Sequence, residues 1–403
     1  MMTRPLTLGL LAASALAVPS AISAKSQTYV DVSAGLGYST NPLLAPGGDT
    51  GSAFGRFSLY GYHGWTTERT SSSISAYVEN DAYFRRYGNK QVFNLSANTR
   101  YVANEKVTLF GNLGLSGDIG GQLGSRFYGV PAGSVTPDPA IPSTVVIVDP
   151  NLFGLNQRQY TLSGSGGANI VLSPKDALNI TAGAQHLFVA GSNVLDYTSY
   201  NTTVGYNRQL NERLSVGGRL LVQYADYKFG RSIFEIGPQA TVTAQLSEHW
   251  DLSAAVGFVR TTQDFGVTGI DNSSSINLAL DGSLCRQLEY ERICARAARR
   301  TQSSVIGAAP VSTTASLEYY RKLGPKDSIQ GSASVARTGG YRIANQTGSS
   351  TFYTASAAYD RLINDRISAG VQASWRKLSF AGPDPKTDVG GSVYLRYRLG
   401  DIR

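Results

Sequence analysis

Apolar and polar residues alternate with a period of two along most of the chain. In the stretch TYVDVSAGLGY, Val30, Val32 and Leu36 share one face, whereas Asp31 and Ser33 share the other. The same alternation recurs in SISAYVENDAYF and in RISAGVQASWRK. Successive side chains of a β-strand point to opposite faces, so this pattern predicts strands with one apolar face and one polar face.

Two kinds of connection separate these strands. Short polar turns such as QLNERLSV, QLSEHWDL and LGPKDSIQ alternate with longer connections rich in Gly, Pro and Asn, such as NPLLAPGGDTGS and GGYRIANQTGSS. Short turns at one end and long loops at the other are typical of outer-membrane β-barrels. The longest connection runs from about residue 119 to 157, and we expect it to form a lid or a constriction on the long-loop side.

The alternating segments predict an all-β fold with about 18 strands, and about 16 is the alternative count. We predict a closed, antiparallel, up-and-down transmembrane β-barrel with short periplasmic turns, longer extracellular loops and both chain ends on the short-turn side. A soluble sandwich is the alternative, but its core would need larger side chains than the Ala, Gly and Val found here. The predicted strands lie near residues 28–40, 52–65, 70–85, 91–103, 107–118, 158–172, 177–189, 197–209, 213–228, 232–246, 250–263, 274–287, 292–301, 313–323, 328–338, 351–362, 367–378 and 388–399.

Aromatic residues gather where a membrane interface would place them. Outer-membrane barrels carry girdles of such residues at both interfaces. Six of them fall near predicted short-turn ends, namely Trp65, Tyr101, Tyr206, Trp250, Tyr359 and Tyr397.

Residues 1–24 have the features of a secretory signal peptide. Arg4 precedes an apolar run and then a series of small residues. We therefore expect the barrel to occupy residues 25–403, beginning at Lys25. No later apolar run is long enough for a transmembrane helix. Charged residues make up 16% of the chain, which is few for a soluble enzyme and fits a barrel without a thick core.

The net charge of +8 indicates a basic but otherwise ordinary exported protein, and the alternative is a surface for acidic partners such as lipopolysaccharide or uronic-acid polymers. Export excludes nucleic acid as a partner. The partners expected are outer-membrane lipid and lipopolysaccharide, a polysaccharide or small solute, and the outer-membrane assembly machinery. A homo-oligomer is a further option that the sequence leaves open.

The polar faces of the predicted strands would line the barrel interior. They combine acidic, basic and tyrosine side chains, which suits a hydrated pore because aromatic rings stack on sugars and charged groups bind hydroxyls and carboxylates. A structural network that only satisfies a polar interior is the alternative. The candidate pore-lining residues are Arg56, Tyr60, Tyr77, Glu79, Asp81, Arg85, Arg100, Arg219, Arg292, Arg296, Arg300, Glu318, Arg396 and Arg398.

Both cysteines lie in the stretch SLCRQLEYERICARAARR. A short turn centred between Glu289 and Tyr290 would place Cys285 directly opposite Cys294 on the lumen face. An oxidising compartment then favours a cross-strand disulfide. By the same parity Arg292, Arg296 and Arg300 form a basic track in the lumen. A short periplasmic helix is the alternative, because the stretch contains strong helix formers.

The sequence does not predict an enzyme, a metal site or a cofactor. Its three histidines, His63, His186 and His249, do not gather at one rim, so no Ser, His and acid cluster assembles. Two cysteines without a neighbouring histidine do not complete a zinc site. No Gly-rich phosphate loop precedes a helix.

Together these features resemble Gram-negative outer-membrane β-barrels of the porin type, and more narrowly the porins associated with exopolysaccharide gene clusters. The resemblance is carried by GLGYSTNPLL, in which the first strand ends in Asn-Pro, and by the repeated QLNERLSV-type turns. It implies an outer-membrane channel for exopolysaccharide or for other small, sugar-like solutes. A non-conducting structural or adhesive barrel with partner-binding loops is the alternative. The ending YLRYRLGDIR departs from the family pattern, in which a terminal aromatic residue is read during assembly.

Overall fold

A computed structural model describes residues 25–45, 47–119, 158–190, 196–264, 272–301, 309–343, 346–380 and 385–401. Within them the chain forms 18 antiparallel strands and a 3-10 turn at Lys228–Gly230. The strands are β1 Lys25–Ser39, β2 Ser52–Thr66, β3 Thr70–Tyr83, β4 Asn89–Asn104, β5 Val107–Ile119, β6 Arg158–Ser173, β7 Asp176–Val189, β8 Tyr197–Asn211, β9 Leu214–Tyr227, β10 Ser232–Ser247, β11 Trp250–Asp264, β12 Ser273–Gln287, β13 Glu291–Thr301, β14 Val311–Lys322, β15 Asp327–Ile343, β16 Gln346–Leu362, β17 Ile367–Phe380 and β18 Lys386–Gly400.

The predicted strand count and strand order are confirmed. Each strand pairs with its neighbours in the chain, and β1 also pairs with β18, from Tyr29 opposite Gly400 to Ser39 opposite Gly390. This pairing closes the barrel and leaves no sheet edge, as a sheet that crosses lipid requires. The expected signal peptide and the part of the predicted long loop at 120–157 lie outside the described residues.

The outer wall of the barrel is apolar and exposed. Ile276, Leu36 and Phe258 are 71%, 61% and 60% exposed, respectively. Exposed apolar surface of this extent is unfavourable in water, whereas lipid stabilises it. The six aromatic residues predicted near the short-turn ends all belong to this outward-facing set. Among the described residues, no helix is long and apolar enough to cross a membrane.

The inner wall is built from small hydroxyl side chains in place of an apolar core. Serine and threonine hydroxyls on neighbouring strands bond to each other at 2.7–3.1 Å. Such cross-strand pairs stabilise a sheet where large apolar side chains are absent. The pairs are Ser33–Ser58, Ser75–Ser96, Ser253–Ser283, Ser332–Ser356 and Ser334–Thr354.

The short turns depend on side-chain oxygens of asparagine. The Asn104 Oδ1 accepts hydrogen bonds from the backbone N–H groups of Lys106 and Val107, each at 2.9 Å. The Asn364 Oδ1 accepts hydrogen bonds from the backbone N–H groups of Arg366 and Ile367 in the same way, at 2.9 Å and 2.8 Å. Asparagine mimics a backbone turn in this arrangement, and Ser173, Ser247 and Thr67 accept backbone hydrogen bonds in other short turns.

One predicted outer loop is mostly strand. The stretch GGYRIANQTGSS lies in β15 and β16, which pair as far as Ile343 opposite Gln346. A register shift between Gly339 and Tyr341 accommodates the glycines without ending the ladder. Glycine was therefore a misleading sign of a loop at this position.

Candidate pore and its charged lining

All but one of the predicted lining residues lie on the inner face of a strand. The cross-strand register shows this, since it pairs Arg56 with Asp81, Tyr60 with Tyr77, Arg100 with Phe110, Arg219 with Gln239 and Glu318 with Cys294. Arg292, Arg296 and Arg300 alternate along β13 on the same face, and so do Arg396 and Arg398 along β18.

Arg85 is the exception, because it does not lie on the barrel wall. β3 ends at Tyr83, and Arg85 follows in the connection to β4. Its guanidinium lies 3.2 Å from the Asp49 carboxylate, and both side chains are exposed. The left-handed backbone of Arg86, with φ of 71°, turns the chain here and ends the alternation that the prediction extended.

Ion pairs concentrate around the seam between β1 and β18. We call the wall formed by β16, β17, β18, β1, β2 and β3 the closing wall. At the seam itself Arg398 binds Asp31 through two parallel hydrogen bonds of 2.7 Å and 2.8 Å. The same guanidinium lies 4.2 Å from the ring centre of Tyr29. This bidentate geometry is the strong form of an arginine–carboxylate pair.

A second arginine of the closing wall, Arg56, contacts two carboxylates. The Arg56 Nε donates to the Asp81 Oδ1 at 2.8 Å and lies 3.5 Å from the Glu79 Oε2. Tyr77 donates its hydroxyl hydrogen to the same Glu79 oxygen at 2.5 Å. Both carboxylates are buried. Their charge is therefore compensated inside the barrel wall, as buried carboxylates require.

Asp360 joins two inward residues of β18. It accepts a hydrogen bond of 2.6 Å from the Tyr394 hydroxyl, and its carboxylate lies 3.6 Å from the Arg396 guanidinium. Asp360 and Tyr394 both pair with Gly370, and Arg396 lies two positions further along β18. The candidate lining residue Arg396 thus has a structural partner.

The start of the β1–β2 connection folds into the barrel. We call residues 40–45 the inner strap. Leu44 is buried against Phe352 of β16 and Leu378 of β17, two residues of the inner face, and Phe380 completes this cluster. The strap therefore crosses the inside of the closing wall near the loop end, where it narrows the lumen.

One ion pair anchors the inner strap. Asp388 accepts hydrogen bonds from the Ser39 hydroxyl at 2.6 Å and from the Asn41 backbone N–H at 2.8 Å. Arg376 donates its Nε hydrogen to Asp388 at 3.0 Å and an Nη2 hydrogen to the Pro42 carbonyl oxygen at 3.0 Å. The strap and the two strands beneath it are thereby tied through a single buried pair.

The strap also holds its own shape. The Asn41 side chain accepts from the Ala45 backbone N–H at 2.8 Å and donates to the Ala45 carbonyl oxygen at 3.0 Å. Leu44 adopts a left-handed backbone with φ of 52°, which costs a non-glycine residue about 1 kcal/mol. Burial of the Leu44 side chain offsets this cost.

On strands β12, β13 and β14 the acid of the main ion pair is more exposed than the acids of the closing wall. We call the wall formed by β12, β13 and β14 the basic wall. Arg296 lies 2.7 Å from Glu318, whose side chain is 50% exposed. Asp281 lies on the inner face of the neighbouring strand β12, the face that Arg300 shares on β13. The predicted basic track on β13 therefore exists, with acids on neighbouring strands.

A disulfide between Cys285 and Cys294 joins β12 to β13 on the inner face, as predicted. The two residues are directly opposite in the register, and their Cα atoms are 4.1 Å apart. The alternative prediction of a periplasmic helix over this stretch is wrong. Strand pairing with β11 and β14 on either side fixes the hairpin despite the helix-forming residues.

The histidines do not assemble a site on the lumen face. The His63 Nδ1 bonds to the Thr28 hydroxyl at 2.7 Å, and the His186 Nδ1 bonds to the Thr198 hydroxyl at 2.8 Å. Both rings belong to outward-facing positions. Within the described residues no group of three or more His, Cys, Asp or Glu side chains is placed to hold a metal ion.

Sequence reasoning missed the inner strap and its anchor. Asn41 is 347 positions from Asp388, so no local pattern relates the strap to its anchor. One signal was available, since Leu43 and Leu44 are apolar in a connection that is otherwise polar. Two adjacent leucines in a loop indicate a segment that packs against something.

No protein-family model matches the chain. No curated protein matches it in sequence. Among solved structures it is similar to OccK2 (OpdF) of Pseudomonas aeruginosa in complex with glucuronate, at 10% identity and a TM-score of 0.45, over 93% of this chain and 98% of that one. It is also similar to the BenF-like porin from Pseudomonas fluorescens Pf-5, at 9% identity and a TM-score of 0.45, over 94% of this chain and 99% of that one. The similarity to the FrpB iron transporter from Neisseria meningitidis has 7% identity and a TM-score of 0.44, over 93% of this chain and 83% of that one. The assignment of the barrel rests on the strand pairing above.

Proposed function

We propose that the protein is a channel for small polar or sugar-like solutes in the outer membrane of a Gram-negative bacterium. The observation that supports this most is the combination of a closed 18-stranded sheet, an exposed apolar outer wall and a charged, hydroxyl-rich inner wall. Barrels of 16 to 18 strands are wide enough to leave an aqueous channel. A wall of this kind solvates ions and sugars during passage.

The lining supports a solute with hydroxyl or carboxylate groups. Tyr60 and Tyr62 of the closing wall are partly exposed on the inner face, and the ring centre of Tyr62 lies 5.3 Å from that of the buried Tyr29. Aromatic faces bind sugar rings, and arginines bind carboxylates. We therefore propose a sugar-like or uronic-acid solute. The most specific version of this proposal is that an extended exopolysaccharide passes through the channel.

Conductance in a planar lipid bilayer tests the channel. Purified, folded protein should give stable open steps, and Arg296→Gln should change their ion selectivity. Arg321→Gln is the matched control, because Arg321 is on the outward face of β14 and its loss should leave selectivity unchanged. A folded protein that gives no steps would contradict the proposal.

Solute size is tested separately, by swelling of liposomes that contain the protein. Mono-, di- and oligosaccharides of increasing length should enter at decreasing rates. Block of the conductance by a uronic-acid polymer would support the polysaccharide form of the proposal. Passage of monosaccharides with no effect of the polymer would restrict the proposal to small solutes.

A non-conducting adhesive barrel is the second candidate. The inner strap favours it to some extent, because strap residues occupy part of the lumen. Ala309, at the end of the β13–β14 connection, is likewise buried against Tyr227 and Ile233 on the inner face. Absence of conductance together with binding of the intact barrel to cells or polymers would favour this candidate.

A further inference from the structure

Four cationic side chains form a band on the outer wall near the loop end. Arg260, Arg337 and Lys377 each follow the first residue of their strand by ten positions, and Arg299 follows the first residue of β13 by eight. They belong to β11, β13, β15 and β17, whose chain direction runs from the short-turn end to the loop end. We call these four residues the cationic band.

The register places the cationic band on the lipid-facing side. Arg260 pairs with Ile276 and Arg299 with Leu280, both of which are exposed apolar residues of the outer wall. Ten residues of a tilted strand rise about 25 Å, which is the height of the apolar band of such a barrel. The four cations therefore lie where the outer leaflet meets its headgroups.

Arg299 and Arg337 are close enough to act on one ligand. Thr313 lies between Arg299 and Arg337 in the register and pairs with both. Two strand spacings separate the two arginine backbones, or about 10 Å. Lys377 pairs with Tyr353 on the far side of β15, so the band continues around the wall at nearly the same level.

The charges of the band are not neutralised within the described residues. No ion pair involves any of the four, whereas Arg299 and Arg260 make only long contacts of 3.4 Å with the hydroxyls of Thr313 and Ser274. A cation held at the edge of the hydrocarbon needs an anionic partner or water. Lipid headgroups are the groups that this position brings into reach.

The other side of the barrel lacks this feature at the same level. The residues ten positions along the corresponding strands β3, β5, β7 and β9 are Asn80, Gly117, His186 and Tyr224. No lysine or arginine occurs at these four positions. Arg158, opposite Ile119 at the loop end of β6, is an outward-facing cation on that side, so the cationic band is distinguished by its four cations and not by their type.

We propose that the cationic band binds the phosphate groups of an acidic glycolipid of the outer leaflet, of the lipid A class. Arginine forks suit phosphate oxygens, and three of the four residues are arginines. Below the band the same wall exposes Phe258, Leu280, Leu317 and Trp375, which offer a surface for the acyl chains. The inference rests on the proposed placement of the barrel in the outer membrane with its loop end outward.

Binding of lipid A to the folded protein in a neutral detergent tests the proposal. The variant Arg260→Gln/Arg299→Gln/Arg337→Gln/Lys377→Gln should weaken binding by at least about a hundredfold, since each cation near an anionic lipid contributes roughly fivefold. The control Arg208→Gln/Arg286→Gln/Arg321→Gln/Arg361→Gln removes four outward charges at the short-turn end and should leave binding unchanged. Mobility of the unheated protein in a gel reports folding of each variant.

Binding measurements with two further lipids identify the ligand. Lipid A without its phosphates should bind like the quadruple band variant, and phosphatidylglycerol should bind far more weakly than lipid A. Equal binding of either lipid, or equal loss in the control variant, would overturn the proposal. Conductance in a neutral bilayer separates the two hypotheses: open steps without lipid A binding defeat this inference alone, and binding without open steps defeats the channel alone.

Discussion

The closing wall and the basic wall share one secondary structure but treat charge in opposite ways. On the closing wall the Asp388 and Arg376 side chains are 2% and 10% exposed and contact each other. On the basic wall the Arg296 side chain is 9% exposed, and it contacts Glu318, whose side chain is 50% exposed. The first wall encloses both charges of its pair and so fixes the strap, whereas the second encloses the arginine and leaves the acid exposed to the lumen. Stability and selectivity should therefore respond to mutation on different walls.

The largest expected effect is loss of the strap anchor. Asp388→Ala leaves Arg376 buried without its carboxylate and frees the Ser39 and Asn41 donors, so we expect a loss of about 3–5 kcal/mol in the free energy of unfolding. Urea unfolding in detergent, followed by gel mobility, measures it. Single-channel conductance should also rise, because the strap leaves the lumen.

The matched control for this anchor is Asp49→Ala, which breaks the exposed pair with Arg85. An exposed pair contributes at most about 1 kcal/mol, so the unfolding midpoint should barely move. Equal losses in the two variants would show that the buried anchor has no special role.

An intermediate effect is expected from the disulfide of the basic wall. Cys285→Ser/Cys294→Ser removes a cross-link over nine positions and should lower the free energy of unfolding by about 2–3 kcal/mol. Urea unfolding of the variant should match that of the wild type with a reductant present. Detection of free thiols in the oxidised wild type would contradict the pairing.

The smallest effect on stability, and the clearest on transport, is expected at Arg296 and Glu318. Arg296→Gln should shift permeability towards cations and Glu318→Gln towards anions, each by up to about fivefold, because one charge at short range in water contributes about 1 kcal/mol. Reversal potentials in a salt gradient measure the shift. If the ion permeability of both variants shifted in the same direction, this pair would not face the conducting path.

Much of the fold could be predicted because its information is local. The period of two assigns each residue to a face, and short turns fix the register of each hairpin. Cys285 opposite Cys294 followed from these two rules, and so did the inward placement of Arg292. The same rules were wrong where a turn begins inside an alternating stretch, as at Arg85.

The candidate site was predicted as a set of residues but not as an arrangement. The pairing of Asp31 with Arg398 joins residues 367 positions apart, and only closure of the barrel brings them together. The contacts of Leu44 with β16 and β17 depend on the same closure. Alternation states which face a residue occupies, but it does not state which distant partner shares that face.

The seam has a consequence for assembly. Among the described strand pairs, consecutive strands are joined through the chain, whereas β1 and β18 meet only after the whole sheet is in place. Until then both edge strands present unpaired backbone groups, which invite pairing with other chains. Asp31 on one edge and Arg398 on the other carry opposite charges and so attract each other as the edges approach. This ion pair therefore adds an attraction across the one strand junction of the described barrel that no turn connects.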